Sequence, residues 1–257
     1  MNVNSYVRAK SFEEAYELLN QNPLNKILGG GLWIKKGNAN IDTLIDLVDL
    51  DLNKIEDKGD YISVGALVTL RDLEKDSLVS SINNNIIGNA VSKIMGPAFR
   101  QSATIGGSVF AKLGFSDLIA ALLVCDVELD FYKTGKVSLE DYLKEKTIRK
   151  DILKFINIKK TNSKSFFKKV CITALDYPLI NIALSKGKEY KIAIGSRPQV
   201  ACLALDTMKI LNDNGSIDDA INTIENISFN DNLSAKVDYR KHLAKIYVKR
   251  GIKEVNE

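Results

Sequence analysis

Three cysteines and a single histidine in 257 residues leave little room for several kinds of chemistry. Cys125, Cys171 and Cys202 stand far apart in apolar settings (LLVCDV, KVCITA, VACLAL), with no CxxC spacing and no recurring Cys/His pattern. They read as buried core thiols, so no metal, no iron–sulfur cluster and no disulfide framework is expected. His242, in YRKHLAKIY on an expected amphipathic helix, reads as structural. With it goes any nucleophile–histidine triad, and no catalytic residue is assigned.

Long apolar runs are missing too, so nothing spans a bilayer. The start, MNVNSYVRAKSFEEAYELL, lacks the basic-then-apolar order of a secretion signal, and a cytoplasmic location without membrane contact is expected. Charge of one sign is scarce, the net value being +4. Basic clusters occur at Lys159 to Lys160, Lys164 to Lys169 and Arg240 to Arg250, but without the interleaved aromatics of a base-stacking groove. Nucleic acid is therefore not an expected partner. Internal repeats and low-complexity segments are absent.

What is present is an ordinary globular composition, 45% hydrophobic and 26% charged, with length for two cooperating cores. Ser11 and Glu14 form a capping box for a helix with Ala15, Leu18 and Leu19 on one face. Lys26 to Leu28, Thr43 to Leu47 and Tyr61 to Ala66 read as strands, the last two separated by a polar stretch. Thr69 with Asp72 caps a short helix, and INNNIIGNAVSKIM has helical spacing at Ile86, Ile87, Ala90 and Ile94. Ser116 caps an apolar helix, SDLIAALLVC; Val127, Leu129 and Phe131 then alternate as a strand, and SLEDYL is a capped helical turn. From Asp151 a strand, a basic connection and two strands joined at Lys186 to Glu189 lead to three helices: VACLALDTMKILND, SIDDAINTIEN and SAKVDYRKHLAKIYVKRGIKEV. The pattern is α+β, with boundaries expected at 1–55, 56–150 and 151–257.

Two glycine turns carry the functional signal. LGGGLW at Leu28 to Trp33 and TIGGS at Thr104 to Ser108 each follow an apolar residue. Glycines allow converging N–H groups and the close approach of an anion, so together the turns could grip a diphosphate. Neither is a GxGxxG fingerprint or a Walker A loop. Either pair alone reads better as a tight turn between elements, and it is their company that changes the reading. Asp117, at the start of the SDLIAALLVC helix, is placed to accept from a ribityl or ribose hydroxyl, or simply to favour the helix dipole.

These residues resemble the FAD-binding medium subunits of the xanthine dehydrogenase and carbon monoxide dehydrogenase family of molybdenum hydroxylases. ILGGGLWI, SVGALVTLRDLEKD and GPAFRQSATIGGSVFAKLGFSDLIAALLVCDVEL match the flavin-binding segments. ALDYPLINIAL, KIAIGSRPQVA and DYRKHLAKIYVKRGIKEV match the C-terminal domain. The resemblance implies a two-lobed FAD-binding domain (PCMH-like, vanillyl-alcohol-oxidase type) followed by a C-terminal α+β domain. It implies a cofactor site made of Leu28, Gly29, Gly30, Gly31, Leu32, Trp33 and Ile34, with Thr104, Ile105, Gly106, Gly107 and Ser108. Asp117 falls at the family's carboxylate position, Lys169 at its flavin-proximal lysine, and Ile152 or Leu153 would cover the ring. It further implies an iron–sulfur subunit and a molybdopterin-binding subunit as partners, with NAD or another acceptor receiving the electrons. Leu32 and Trp33 replace the family's usual Thr-Asp, Trp33 reading better as core than as a surface for the adenine, and Cys171 to Thr173 replace a basic pair. A flavin-free structural subunit and an independent flavin oxidoreductase remain as alternatives.

Overall fold

The computed structural model describes residues 2–197 and 199–257. The chain forms two compact units, neither continuous in sequence. Met1–Leu73, Pro97–Ala111 and Val127–Ile158 make the first; Glu74–Gly96, Lys112–Asp126 and Lys159–Glu257 make the second. Helices accompany three separate sheets, the α+β class expected.

In the first unit a parallel sheet runs in the order Asn2–Arg8, Asn40–Asp46, Lys26–Leu28. The strand Asn2–Arg8 has no apolar alternation to announce it. Its ladder is reinforced by polar cross-strand pairs instead, Ser5 to Thr43 at 2.9 Å and the Tyr6 hydroxyl donating to Asp46 at 2.6 Å. The helix Phe12–Gln21 opens as expected, the Glu14 N–H donating to the Ser11 hydroxyl and the Lys10 N–H to the Glu14 carboxylate. Its Ala15 and Leu19 pack in one cluster with Ile45, Leu47, Leu52 and Ile152. A second sheet orders Ile55–Asp57, Tyr61–Gly65, Leu153–Lys159, Val127–Phe131 and Gly135–Ser138. Val127, Leu129 and Phe131 are buried along one face, as their alternation requires.

The second unit holds an antiparallel sheet in the order Cys202–Leu203, Tyr190–Gly195, Ile180–Lys186, Lys164–Val170. Helix Val237–Asn256 packs Leu243, Val248 and Ile252 in one cluster with Ile180, Ile182 and Ile192. Three expectations change here. Lys164–Val170, read as a basic connection, is a strand whose Phe166 and Val170 meet the core while Lys164 and Lys168 stay exposed. The helix expected over VACLALDTMKILND starts only at Leu205, because Cys202 and Leu203 pair with Ile194 and Ala193 and the Ala204 N–H donates to the Ile192 carbonyl. The helix expected over INNNIIGNAVSKIM is confined to Ile86–Val91, since Asn83, Asn84 and Asn85 take left-handed dihedrals (φ 43°, 52° and 61°).

Arg240 is the largest fully buried side chain among the described residues of this unit, 1% exposed. Its guanidinium donates to the carbonyls of Leu179 and Ser196 and to the Asn232 side chain, tying three loops to the long helix. Arg240→Met keeps the apolar bulk but strands buried carbonyls, so the variant should lose about 3 kcal/mol of stability in urea unfolding.

Candidate functional site

The strand Lys26–Leu28 ends at Gly29, and the short helix Leu32–Lys36 begins after Gly31, which is left-handed at φ 72°. A side chain there would strain the backbone. Gly30 is constrained differently. Its backbone lies against the chain at Ser102 and Ala103, and a Cβ would stand 1.7 Å from the Ser102 carbonyl oxygen. A Cβ on Gly29 would lie 3.6 Å from Gly107 Cα, so the two glycine segments face each other directly.

The second segment is the N-terminus of a helix, Ile105–Phe110, and not the open turn its glycines suggest. Thr104 caps it, its hydroxyl accepting from the Gly107 N–H at 3.2 Å, while the Ser108 hydroxyl donates to the Thr104 carbonyl at 2.8 Å. Ile105 and Gly106 donate their N–H groups to the carbonyls of Val68 and Ala66, each at 2.9 Å. The backbone donors of Ile105 to Ser108 are thus engaged within the fold. The first segment is the opposite case. Among the described residues no acceptor takes the N–H groups of Gly30, Gly31 or Leu32, and no side chain caps the helix that follows.

Both segments line one cavity of about 310 Å³. Leu28 to Ile34 form one stretch of its wall; Thr104, Gly106, Gly107 and Ser108 form another; Ile152 and Leu153 a third. Ile105 is fully buried behind the wall. Trp33, expected as core, is 38% exposed on the cavity surface. Residues not anticipated also contribute, namely Lys26 and the run Ile148, Arg149 and Lys150 before the strand Leu153–Lys159. An isolated isoleucine among charged residues was their only trace in the sequence. Arg149 is braced by Glu145 and lies over the Phe131 ring, 4.7 Å from its centroid.

The lining includes one carboxylate among the described residues, Asp151, and it is spoken for. Its oxygens accept from the N–H groups of Lys133 and Thr134 and from the Thr134 hydroxyl at 2.6 Å. Burial pushes its carboxyl upward, but the Thr134 hydroxyl and these N–H donors outweigh it and hold it below the usual carboxylate range. The wall that remains is apolar, with free N–H donors at one segment and cationic side chains around it. That donor set suits a phosphorylated ligand with an apolar body.

Asp117 and Lys169 come together in the second unit. Asp117 opens the helix Asp117–Leu123 behind the Ser116 cap, accepts from the Asn181 amide at 2.7 Å, and lies 3.6 Å from the Lys169 ammonium. Lys169 also donates to the Lys93 carbonyl at 2.9 Å. Both side chains are buried.

The sequence profile described as the FAD binding domain in molybdopterin dehydrogenase matches residues 1–158. The chain belongs to that family. The glyceraldehyde dehydrogenase medium chain of Sulfolobus acidocaldarius is 26% identical over 275 residues, covering 98% of each chain. The xanthine dehydrogenase FAD-binding subunit of Escherichia coli O157:H7 is 28% identical over 157 residues, 53% of each. Among solved structures, a carbon monoxide dehydrogenase chain from Hydrogenophaga pseudoflava superposes with a TM-score of 0.87 at 20% identity, covering 98% of this chain and 96% of that one. The protein is an FAD-binding subunit of an oxidoreductase of the molybdenum hydroxylase family, and the glycine cavity is built from residues within the matched domain. No helix among the described residues is long and apolar enough to cross a membrane.

Burial pushes the Asp117 carboxyl up to about 6, with Lys169 and Asn181 pulling the other way. An acid with a folded pKa above its unfolded one holds its proton longer in the folded state, so stability falls as pH rises from about 4 towards 6. Relative to Asp117→Asn, the parent should lose on the order of 2 kcal/mol over that interval in urea unfolding at stepped pH.

Proposed function

We propose that the chain holds the FAD diphosphate between its two glycine segments and serves as the electron-transferring flavin subunit of a molybdenum hydroxylase. The observation that carries this reading is the group of uncommitted N–H donors at Gly30, Gly31 and Leu32 on the cavity wall. The facing helix contributes the Thr104 hydroxyl, whose proton is left to donate, and the bare Gly107 leaves room for phosphate oxygens. Ile152 and Leu153 offer an apolar cover for a ring, and Lys26 and Lys150 offset phosphate charge from the rim. Bound FAD would supply the redox chemistry, accepting electrons relayed by iron–sulfur centres and passing them to NAD or another acceptor. The resemblance assigns Asp117 and Lys169 to the cofactor as well, and their role is proposed on that ground alone. The proposed partners are an iron–sulfur subunit and a molybdopterin-binding subunit, in keeping with the medium-chain name of the Sulfolobus relative. The substrate is then set by another subunit, and this chain contributes no residue to its transformation.

Gly107→Ala separates cofactor binding from folding. A Cβ there meets only the Thr104 hydroxyl at 3.1 Å, whereas one at Gly106 would stand 2.6 Å from Ala66. The variant should therefore fold and melt like the parent yet bind FAD at least about tenfold more weakly, a loss of about 1.4 kcal/mol, as read by flavin absorbance retained on gel filtration. Failure of the parent chain to take up FAD would favour the flavin-free structural reading. Turnover of a small substrate by the chain alone would favour an independent flavoenzyme.

A further inference from the structure

Trp33 is the only tryptophan in the chain, and it stands in the first turn of the helix Leu32–Lys36, two positions beyond left-handed Gly31. It is 38% exposed on the wall of the glycine cavity. A lone apolar side chain on a convex surface needs no explanation. A concave wall is different, because solvent there is what a ligand displaces. Ile148, 82% exposed, is another large apolar side chain on the same lining. Leu32 and Trp33 bring no carboxylate or hydroxyl to this turn, so beyond backbone N–H groups its means of recognition are apolar and aromatic.

Position makes the match specific. Trp33 follows the Gly30 to Leu32 N–H groups directly on the same cavity wall, and in a dinucleotide the diphosphate is flanked on both sides by a linker and a planar ring. We propose that Trp33 is a stacking surface for one heteroaromatic ring of the dinucleotide, so that affinity at this turn comes from ring contact and not from side-chain hydrogen bonds. The inference rests on the FAD reading and adds to it the residue that recognises a ring.

The test compares Trp33→Phe with Trp33→Leu in the full chain, since both keep apolar bulk and only Phe keeps a ring. FAD titrations followed by flavin fluorescence should give Kd values within about threefold of the parent for Trp33→Phe and raised about tenfold for Trp33→Leu, the range of one base–aromatic stack. Parallel titrations with ADP and with FMN identify the ring, because the Leu variant should weaken only one of them. Equal Kd values for the Phe and Leu variants, with FAD still bound by the parent, overturn the stacking role and leave the FAD site standing. A parent that binds none of the three ligands overturns both.

Discussion

The contact on which the cavity depends is one of main chain against main chain, Gly30 lying on Ser102 and Ala103 with no space for even a methyl group. The second segment is itself pinned in place. Leu70 donates to the Ala103 carbonyl at 2.8 Å, and Ile105 and Gly106 donate to Val68 and Ala66. Ala66 continues directly from the sheet strand Tyr61–Gly65. The separation between the two glycine segments is therefore fixed by backbone hydrogen bonds anchored next to a sheet, and side-chain rotamers have no say in it. A site whose gap is set this way loses little entropy on binding and tolerates extensive change in the surrounding side chains.

That arrangement divides the work between segments that look alike in sequence. In the second segment the N–H groups of Ile105 to Ser108 are consumed in holding the fold, and what remains for a ligand is chiefly the Thr104 hydroxyl and a surface without a Cβ. In the first segment the N-cap is Gly31, which has no side chain to accept a bond, so the N–H groups of Gly30 to Leu32 stay uncommitted. Anion binding falls to the first segment and steric allowance to the second. The electrostatics agree, since the one lining carboxylate among the described residues is satisfied by its own donors while Lys26 and Lys150 stay exposed.

Capping boxes and apolar alternation made much of the fold legible. Ser11 with Glu14 and Ser116 before its apolar helix sit where the sequence puts them. Elements whose stability is tertiary were opaque. Asn2–Arg8 is a polar strand that exists because Asn40–Asp46 pairs with it, and Lys164–Val170 hides its core-facing Phe166 and Val170 among three lysines. The glycine segments were legible as a pair, but the distinction between engaged and uncommitted donors was not, because it is decided by Ala66 and Val68 from elsewhere in the chain. Trp33 misled for a related reason. A tryptophan after an apolar residue suggests core, and only the short helix that follows Gly31 brings it out onto the cavity wall.

Asp151 and Asp117 carry the same lesson into electrostatics. Solvent barely reaches either, yet their carboxyls shift in opposite directions. Asp151 accepts from fixed N–H groups and a hydroxyl, enough to compensate its burial and lock it as an anion that knits the Lys133 to Gly135 turn to the chain at Ile152. Asp117 lies deeper, with one amide donor and an ammonium at 3.6 Å, and the compensation falls short. A pKa of about 6 leaves its charge responsive to whatever contacts it next. A donor arriving at that carboxylate would lower the pKa, and by linkage would bind more tightly above pH 6 than below it. The carboxylate that could answer a ligand is thus the under-solvated one, and the fully satisfied one serves the fold.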